Sequence, residues 1–420
     1  MPFLSSWDGL EGVVACRRLR YPALSEAGRS VPGMACTQVV GSGQQRTWTV
    51  VDDVGALIEP AEEFLEFARE QEYSPNTVRS YARALAMWWT FLSLRQQSWD
   101  SVQLKDLGAF LHAVRAGTAA TGAVPLHREP VAAESTVVAR VRAVMSLYRF
   151  HALNGTQTRL VLYEQVRRSP NTYLPFMEHL ERRSPSTPRA TIRLRVPARP
   201  TPFLSPGQVQ ALLDGEAIWD PRTGTWTGDL RYRLLWAVLA ETGMRIGEAL
   251  LLTHGDWQTG QGTTGRVRLQ EHAHPEVLRL KSGSRTVHIG SDLDRLYGDY
   301  VWWLCDQGAD AALTDWDASF IFCNTKREPL FAPLKPRAVE RHMKVTAHRV
   351  GVVPGEVTPH WLRHTHATAL LLAGTPVHVV SRRLGHRNIQ TTLDTYGHVT
   401  EDAELAALAD WASYTKGWIN

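Results

Sequence analysis

The alternation of apolar and polar positions predicts two folded stretches separated by a basic, proline-rich segment. In Ala61–Glu70 (AEEFLEFARE), Phe64, Leu65 and Ala68 recur at helical spacing and predict an amphipathic helix. Ser74-Pro75-Asn76-Thr77 follows, with a serine suited to an N-cap and a proline suited to the first helical position. The helix it opens, VRSYARALAMWWTFLSL, sets Val78, Tyr81, Leu85, Trp88, Trp89 and Leu92 on one broad apolar face, with Arg79 and Arg83 on the other. A loop over Ala116–Pro130 leads into a helix over Ser135–Leu153, with Val138, Val141, Val144, Met145 and Tyr148 inside and Arg140, Arg142 and Arg149 punctuating it. A helical domain over 56–155 is expected. Its arginines either solvate a plain bundle or grip DNA, and this stretch leaves both readings open.

Residues 1–55 form an N-terminal extension whose one legible element is a short strand at Thr47–Val51; no role is assigned to it. Between 156 and 202, Pro185, Pro188, Pro197, Pro200 and Pro202 oppose helix and sheet and predict an extended tether. The stretch Arg182–Arg199 carries Arg182, Arg183, Arg189, Arg193, Arg195 and Arg199 and no acid. It is either a solvated linker or a contact with a phosphate backbone, where each guanidinium would release counterions.

Ser205-Pro206 opens a second domain over 203–420. Tyr232–Ala240 reads as an apolar helix with Gly243 as its C-cap. Val277–Ile289 (VLRLKSGSRTVHI) has two alternating runs flanking Ser282-Gly283-Ser284 and predicts a β-hairpin with Lys281 at its shoulder. Thr358–His366 places His360 and Arg363 on one helix face. The expected fold class is therefore mainly α with a small β-sheet or hairpin, that is α+β, with a helical domain ahead of a mixed one.

Composition narrows the class. A chain of 420 residues fits two or three domains, and 44% hydrophobic with 21% charged residues is ordinary for a folded soluble protein. Leu234–Ala240 and Ala369–Ala373 are far shorter than the roughly 20 apolar residues of a membrane helix. Met1–Leu10 lacks a basic stretch followed by an apolar one, so no secretory signal is expected. Cys16, Cys36, Cys305 and Cys323 are scattered and read as reduced thiols of a cytoplasmic protein. The net charge of +4 says little about partners. No membrane partner and no cofactor are expected.

The polar residues of the second domain carry the chemistry. Arg245 emerges from the turn after Gly243, suited to an anion; its plainer reading is a surface ion pair with Glu248. Lys281, taken alone, is a solubilising charge. His386 and Tyr396 lie in Leu384-Gly385-His386-Arg387-Asn388 and Thr391-Thr392-Leu393-Asp394-Thr395-Tyr396.

Together GMRIGEALLL, HWLRHTHAT and LGHRNIQTTLDTY resemble the three motif boxes of the tyrosine recombinase (phage integrase) catalytic domain, in that family's order and at comparable separations. The lysine-bearing element falls between the first and second boxes, as in the family. SPNTVRSYARAL is more loosely similar to the family's N-terminal core-binding domain. The resemblance implies that Arg245, Lys281, His360, Arg363 and His386 assemble around a phosphate and that Tyr396 is the nucleophile. The chain departs from many members by one extra residue between His386 and Tyr396, which bears on where the tyrosine points. Arg279 and Arg285 flank Lys281 closely and leave its assignment open.

These residue types suit metal-free phosphodiester cleavage. Two guanidiniums neutralise the non-bridging oxygens bidentately. A phenol with pKa about 10 needs a base and a cationic field, and His360 is the expected base. Lys281 would protonate the 5′-oxygen, and His386 would hydrogen-bond a phosphate oxygen. The product implied is a 3′-phosphotyrosine that stores the bond energy, so rejoining needs neither ATP nor metal. The resemblance further implies double-stranded DNA as partner, bound through Arg79, Arg83, Arg140, Arg182, Arg183, Arg193 and Arg195. It implies a homotetramer on two duplexes, assembled from protomers that are monomeric in free solution, in the cytoplasm and at the nucleoid when bound to DNA.

In Glu401–Tyr414, Leu405, Leu408 and Trp411 form an apolar stripe that either docks on a neighbouring protomer or packs at home. The length of the extension and of the Asp214–Leu230 loop leans toward mobile-element members. Three rival readings stay in view. A catalytically silent DNA-binding protein would not need Arg245, Lys281, His360, Arg363, His386 and Tyr396 all together. A type IB topoisomerase shares the chemistry. A metallohydrolase would use His360, His364 and His366, but no HExxH and no nearby carboxylate completes such a site, and His364 reads as a packing neighbour of Arg363.

Overall fold

The computed structural model describes residues 35–42, 45–118, 132–156, 163–167, 186–190, 201–260, 263–276, 278–352 and 357–397. The chain separates into two compact units, Met1–Ala198 and Arg199–Asn420.

The first unit begins with an antiparallel hairpin, β1 (Cys36–Ser42) and β2 (Gln45–Val51). Four helices follow: α1 (Glu59–Glu70), α2 (Pro75–Leu94), α3 (Leu104–Arg115) and α4 (Glu134–Leu153). Ser74 caps α2 as expected, its hydroxyl accepting from the Thr77 amide at 3.3 Å. The helix is apolar around most of its circumference because it is covered by other elements. Val78, Leu85, Trp88 and Leu92 are buried, whereas Tyr81 and Trp89 lie partly buried at the margin. Trp88 is the centre of the core. It meets Phe110 edge-on at 4.9 Å and donates its indole N–H to Tyr148 Oη at 3.3 Å. Tyr148 in turn donates to the Trp99 carbonyl at 2.7 Å, so both polar tips inside the core are satisfied.

Arg83 is exposed, Arg79 lies over the Trp48 ring at 5.8 Å, and Arg140 touches the Met87 sulfur at 3.9 Å. The proline-rich segment is not wholly extended tether. Its backbone pairs β3 (Tyr163–Arg167) antiparallel with β4 (Ser186–Ala190), and Pro188 stands opposite Gln165. A two-stranded ladder has only edge strands, where a proline lacking its N–H is tolerated. Arg182, Arg183, Arg193 and Arg195 lie outside the described residues, as do most of the Ala116–Pro130 loop and the Glu401–Tyr414 stripe.

The second unit opens with α5 (Pro206–Asp214), capped by Ser205 and Gln208 reciprocally. The Asp214–Leu230 loop is a hairpin, β5 (Ala217–Asp220) with β6 (Thr225–Gly228). Helix α6 (Leu230–Thr242) is the spine, burying Leu234, Leu235, Trp236, Val238 and Leu239. The short α7 (Ile246–Ala249) follows. A three-stranded antiparallel sheet comes next, β7 (Trp257–Gln258), β8 (Arg266–Leu269) and β9 (Arg285–His288). Then come α8 (Ser291–Asp306), α9 (Ala309–Ala312), α10 (Pro336–Arg349), α11 (Pro359–Leu372) and α12 (Val377–Leu384). Residues 389–397 are helical.

The expected Val277–Ile289 hairpin is corrected here. Its second arm is β9, but the partner strand is Arg266–Leu269, and 278–281 is not a strand. The connecting stretch is held by side chains instead. Gln270 and His272 bond the buried Asp256 carboxylate, and the Leu280 amide donates to Glu271 at 2.6 Å. The apolar alternation that suggested a strand is met by tucking Leu280 into the core from a loop.

Candidate active site

Arg363 is the anchor of the site. It sits on α11, fully buried, and its guanidinium donates to the Gly243 carbonyl at 2.7 Å and the Leu384 carbonyl at 2.9 Å. Those carbonyls close the C-terminal ends of α6 and α12, where the helix dipoles are negative and a cation is favoured. Both ends turn through a left-handed glycine, Gly243 at φ +66° and Gly385 at φ +69°. The glycines are also needed for space. A Cβ on Gly243 would come within 2.7 Å of the His366 ring, and one on Gly385 within 2.8 Å of the Arg285 guanidinium. Two of the five guanidinium donors are thus spent on position, and the rest remain for a ligand. Burial and the neighbouring Arg245 lower Arg363 to about 10, which still leaves it charged at neutral pH.

Arg245 is the N-cap of α7. Its ion pair with Glu248 exists, at 3.0 Å, but the carboxylate is buried rather than on the surface. Glu248 also pairs with Arg285 at 2.8 Å. Against the cost of burial, Arg285 and then Arg245 hold Glu248 down to about 2. Arg245 donates as well to Ser282 Oγ at 2.5 Å, which brings the turn after Lys281 to the site. Lys281 itself is exposed in that turn, and Arg279 is exposed beside it.

Tyr396 is almost wholly buried, and its hydroxyl lies 2.8 Å from His364 Nδ1. Sequence reasoning reads His364 as a packing neighbour of Arg363, with a zinc ligand as the rival reading. Its spacing of four from His360 was the available signal, since i and i+4 share a helix face. His360 packs edge-on against His364, ring centroids 4.5 Å apart, and is exposed on its outer side. His386 bonds the buried Thr392 hydroxyl through Nδ1 at 2.7 Å. Thr201 donates to the Thr395 carbonyl at 2.8 Å, tying the residue before the tyrosine to the entry of the unit. Despite the extra residue after His386, Tyr396 therefore faces the histidines of α11.

The electrostatics of these groups are coupled. Burial first, then the Arg363 and Arg245 charges, lower His360 to about 4. Burial, His360 and Arg363 do the same to His364, and burial with Arg363 and Arg245 does so to His386. All three imidazoles are neutral at pH 7. Burial lifts the Tyr396 phenol to about 12 against the pull of the two guanidiniums. His366 faces elsewhere, its Nδ1 on the Ala240 carbonyl at 3.0 Å and its Nε2 accepting from Arg383 at 3.0 Å. Of the three histidines, His364 is thus bonded to the phenol and His366 to backbone and Arg383, and no group of three or more metal-ligating side chains is gathered among the described residues.

Residues 203–403 match the Phage integrase family model, and 61–155 match the Phage integrase, N-terminal SAM-like domain. Tyrosine recombinase XerD of Mycobacterium tuberculosis is 30% identical over 325 residues, 77% of this chain and 87% of the relative. Transposase A from transposon Tn554 of Staphylococcus aureus is 25% identical over 354 residues, 84% of this chain and 91% of the relative. Among solved structures, the Tn1549 transposon integrase in complex with a circular intermediate DNA superposes with a TM-score of 0.55 at 17% identity, covering 83% of this chain and 98% of that one. The XerH site-specific recombinase in a post-cleavage complex gives 0.54 at 17% identity over 82% of each chain. The likeness to these structures is one of fold. The identity and coverage of the XerD relative go further: this chain belongs to the phage integrase family of tyrosine recombinases, enzymes that break and rejoin DNA.

Proposed function

We propose that this protein is a site-specific DNA recombinase in which Tyr396 attacks a phosphodiester held by Arg245 and Arg363. The phenol oxygen displaces the 5′-oxygen and forms a 3′-phosphotyrosine. A 5′-hydroxyl from the partner strand then reverses the step on new DNA. Arg245 and Arg363 hold the non-bridging oxygens through the donors that their protein partners leave over. His360 and His386 line the same pocket as neutral imidazoles. Lys281, next to the serine that Arg245 binds, is the candidate proton donor to the leaving oxygen.

The observation that carries this reading is the convergence of two charged guanidiniums and a phenol hydrogen-bonded to an imidazole. That convergence has a catalytic use and no evident structural one. The DNA is gripped, in this reading, by the arginines of the helical unit, Arg79, Arg83 and Arg140, and by Arg182, Arg183, Arg193 and Arg195. Strand exchange needs two duplexes, which a homotetramer on DNA supplies, its free protomers being cytoplasmic monomers. The Tn554 transposase relative favours a mobile-element task, the excision or insertion of DNA, over simple relaxation.

Tyr396→Phe tests the proposal. The variant is expected to bind target DNA with unchanged affinity and to form no covalent adduct, while the natural protein forms it in EDTA. An adduct with the phenylalanine variant refutes the assignment. Relaxation of supercoils without any exchange of strands favours the topoisomerase reading.

A further inference from the structure

We propose that Ser282 is a positioning residue for strand cleavage: its hydroxyl moors the turn that carries Lys281 to Arg245, and so holds the proton donor beside the phosphate that Arg245 binds. The inference rests on the reading above that Lys281 protonates the leaving oxygen. As the bond from phosphorus to the 5′-oxygen breaks, that oxygen takes a proton from Lys281 Nζ. On rejoining, the incoming 5′-hydroxyl gives one back. Ser282 takes no part in the transfer; it decides where the amine starts from.

Lys281 needs such help. It is exposed and, among the described residues, has no hydrogen-bond or ion-pair partner. Its ammonium rides on a flexible four-carbon stem. Residues 278–281 are not a strand, so no ladder fixes the backbone either. The lysine is instead bracketed by its neighbours. Leu280 is buried, and its amide donates to Glu271 at 2.6 Å. That anchor ties the turn to its own loop. Ser282, on the other side, ties it to the anion site.

The hydroxyl of Ser282 is used in both directions. It accepts from Arg245 Nη1 at 2.5 Å and donates to Glu248 Oε1 at 3.3 Å. Both partners are charged, which makes these bonds stronger than neutral ones. The side chain also lies against the end of α12, since a Cβ built on Gly385 would come within 2.8 Å of Ser282 Cβ. Arg245 does not depend on the serine in return. Glu248 accepts from both its guanidinium and its backbone amide at 3.0 Å, and Arg285 holds Glu248 at 2.8 Å. Removing the hydroxyl therefore frees the lysine turn and leaves the arginine in place. A catalytic group displaced by about 1 Å can lose on the order of 10²-fold in rate, so a loose turn is costly to the proton transfer.

The test is single-turnover adduct formation on a nicked suicide substrate, with either oxygen or sulfur at the 5′-bridging position. The sulfur leaves without protonation and so bypasses the acid. On the oxygen substrate, Ser282→Ala should cleave about 10–10²-fold more slowly with DNA affinity unchanged. On the sulfur substrate, Ser282→Ala and Lys281→Ala should both return to within about threefold of the natural protein. The double variant should be no slower on oxygen than Lys281→Ala alone, because the serine acts through the lysine. Ser284→Ala removes the other hydroxyl of the turn and should cleave at the natural rate.

A Ser282→Ala rate within about threefold of natural on oxygen overturns the proposal. So does a defect that the sulfur leaves in place, which would mean that the serine serves Arg245 and the phosphate charge instead. Additive losses in the double variant overturn it as well. If Ser282→Ala does not fold, Ser282→Cys carries the same test, since a thiol keeps the size of the side chain and is a weak acceptor. Rescue of Lys281→Ala by sulfur without rescue of the serine variant sinks only this inference. Failure of sulfur to rescue Lys281→Ala itself sinks the reading of Lys281 beneath it.

Discussion

The two units bury different things. The core of the helical unit is aliphatic and aromatic, centred on Trp88, Phe91, Phe110 and Tyr148; Asp106 and His151 are buried with it, but among the described residues none of its arginines is. The second unit has a comparable apolar core around α6, yet it also buries Arg231, Glu248, Asp256 and Arg363. An apolar core stabilises simply by leaving water, and its members are exchangeable within limits of volume. A buried charge is costly unless each donor and lone pair is met. Arg363 meets part of that demand through two helix ends and keeps donors over for a ligand, Glu248 is met by two arginines, and what results is an electropositive pocket. The first unit is built to be stable and the second to hold charge in place.

That contrast is broken most forcefully at the centre of each unit. Trp88→Ala should destabilise the helical unit by about 3–5 kcal/mol, read in urea unfolding, because a large buried side chain leaves a cavity. The catalytic pocket should keep its chemistry wherever the variant remains folded. Arg363→Ala should do the opposite, lowering the cleavage rate by about 10²–10³ while weakening DNA binding much less. Arg363→Lys should not restore it, since an ammonium cannot span two carbonyls and a phosphate at once.

The smallest effect is on acid stability. His254, His364, His366 and His386 are each lowered to about 4, first by burial. Between pH 6.5 and 4 the unfolded chain takes up protons that the folded one refuses, so stability is present above that window and lost as the pH falls through it. Glu248, held near 2, adds a loss of the same sign only below about pH 4.5. Calorimetry across this range should show the melting temperature of the second unit falling with acid, and His366→Asn should flatten the slope. An unchanged slope would mean that these histidines do not set it.

Much of this was legible from local rules. The Ser74 cap, the Gly243 turn and the inward faces of α2 and α4 follow from spacing and cap chemistry, which act over one helical turn. The strand partner of Arg285–His288 was missed because pairing is set at a distance, and an alternating run beside a Ser-Gly-Ser turn resembles a strand whether or not it pairs. The β5–β6 hairpin and the β3–β4 ladder escaped for the same reason. Within the site, motif spacing identified the groups later found near Arg363. It could not say which of two histidines a turn apart meets the phenol, because that depends on the angle at which 389–397 crosses α11. The buried pairing of Glu248 with Arg285 was likewise a matter of tertiary contact across 37 positions of chain.

The central claim is that a covalent bond forms between DNA and one phenol. Trapping the adduct on a nicked suicide substrate, digesting it and locating the nucleotide by mass spectrometry tests this directly. The account predicts a 3′-phosphate on Tyr396; a nucleotide on any other side chain, or no adduct under conditions where strands are exchanged, would contradict it.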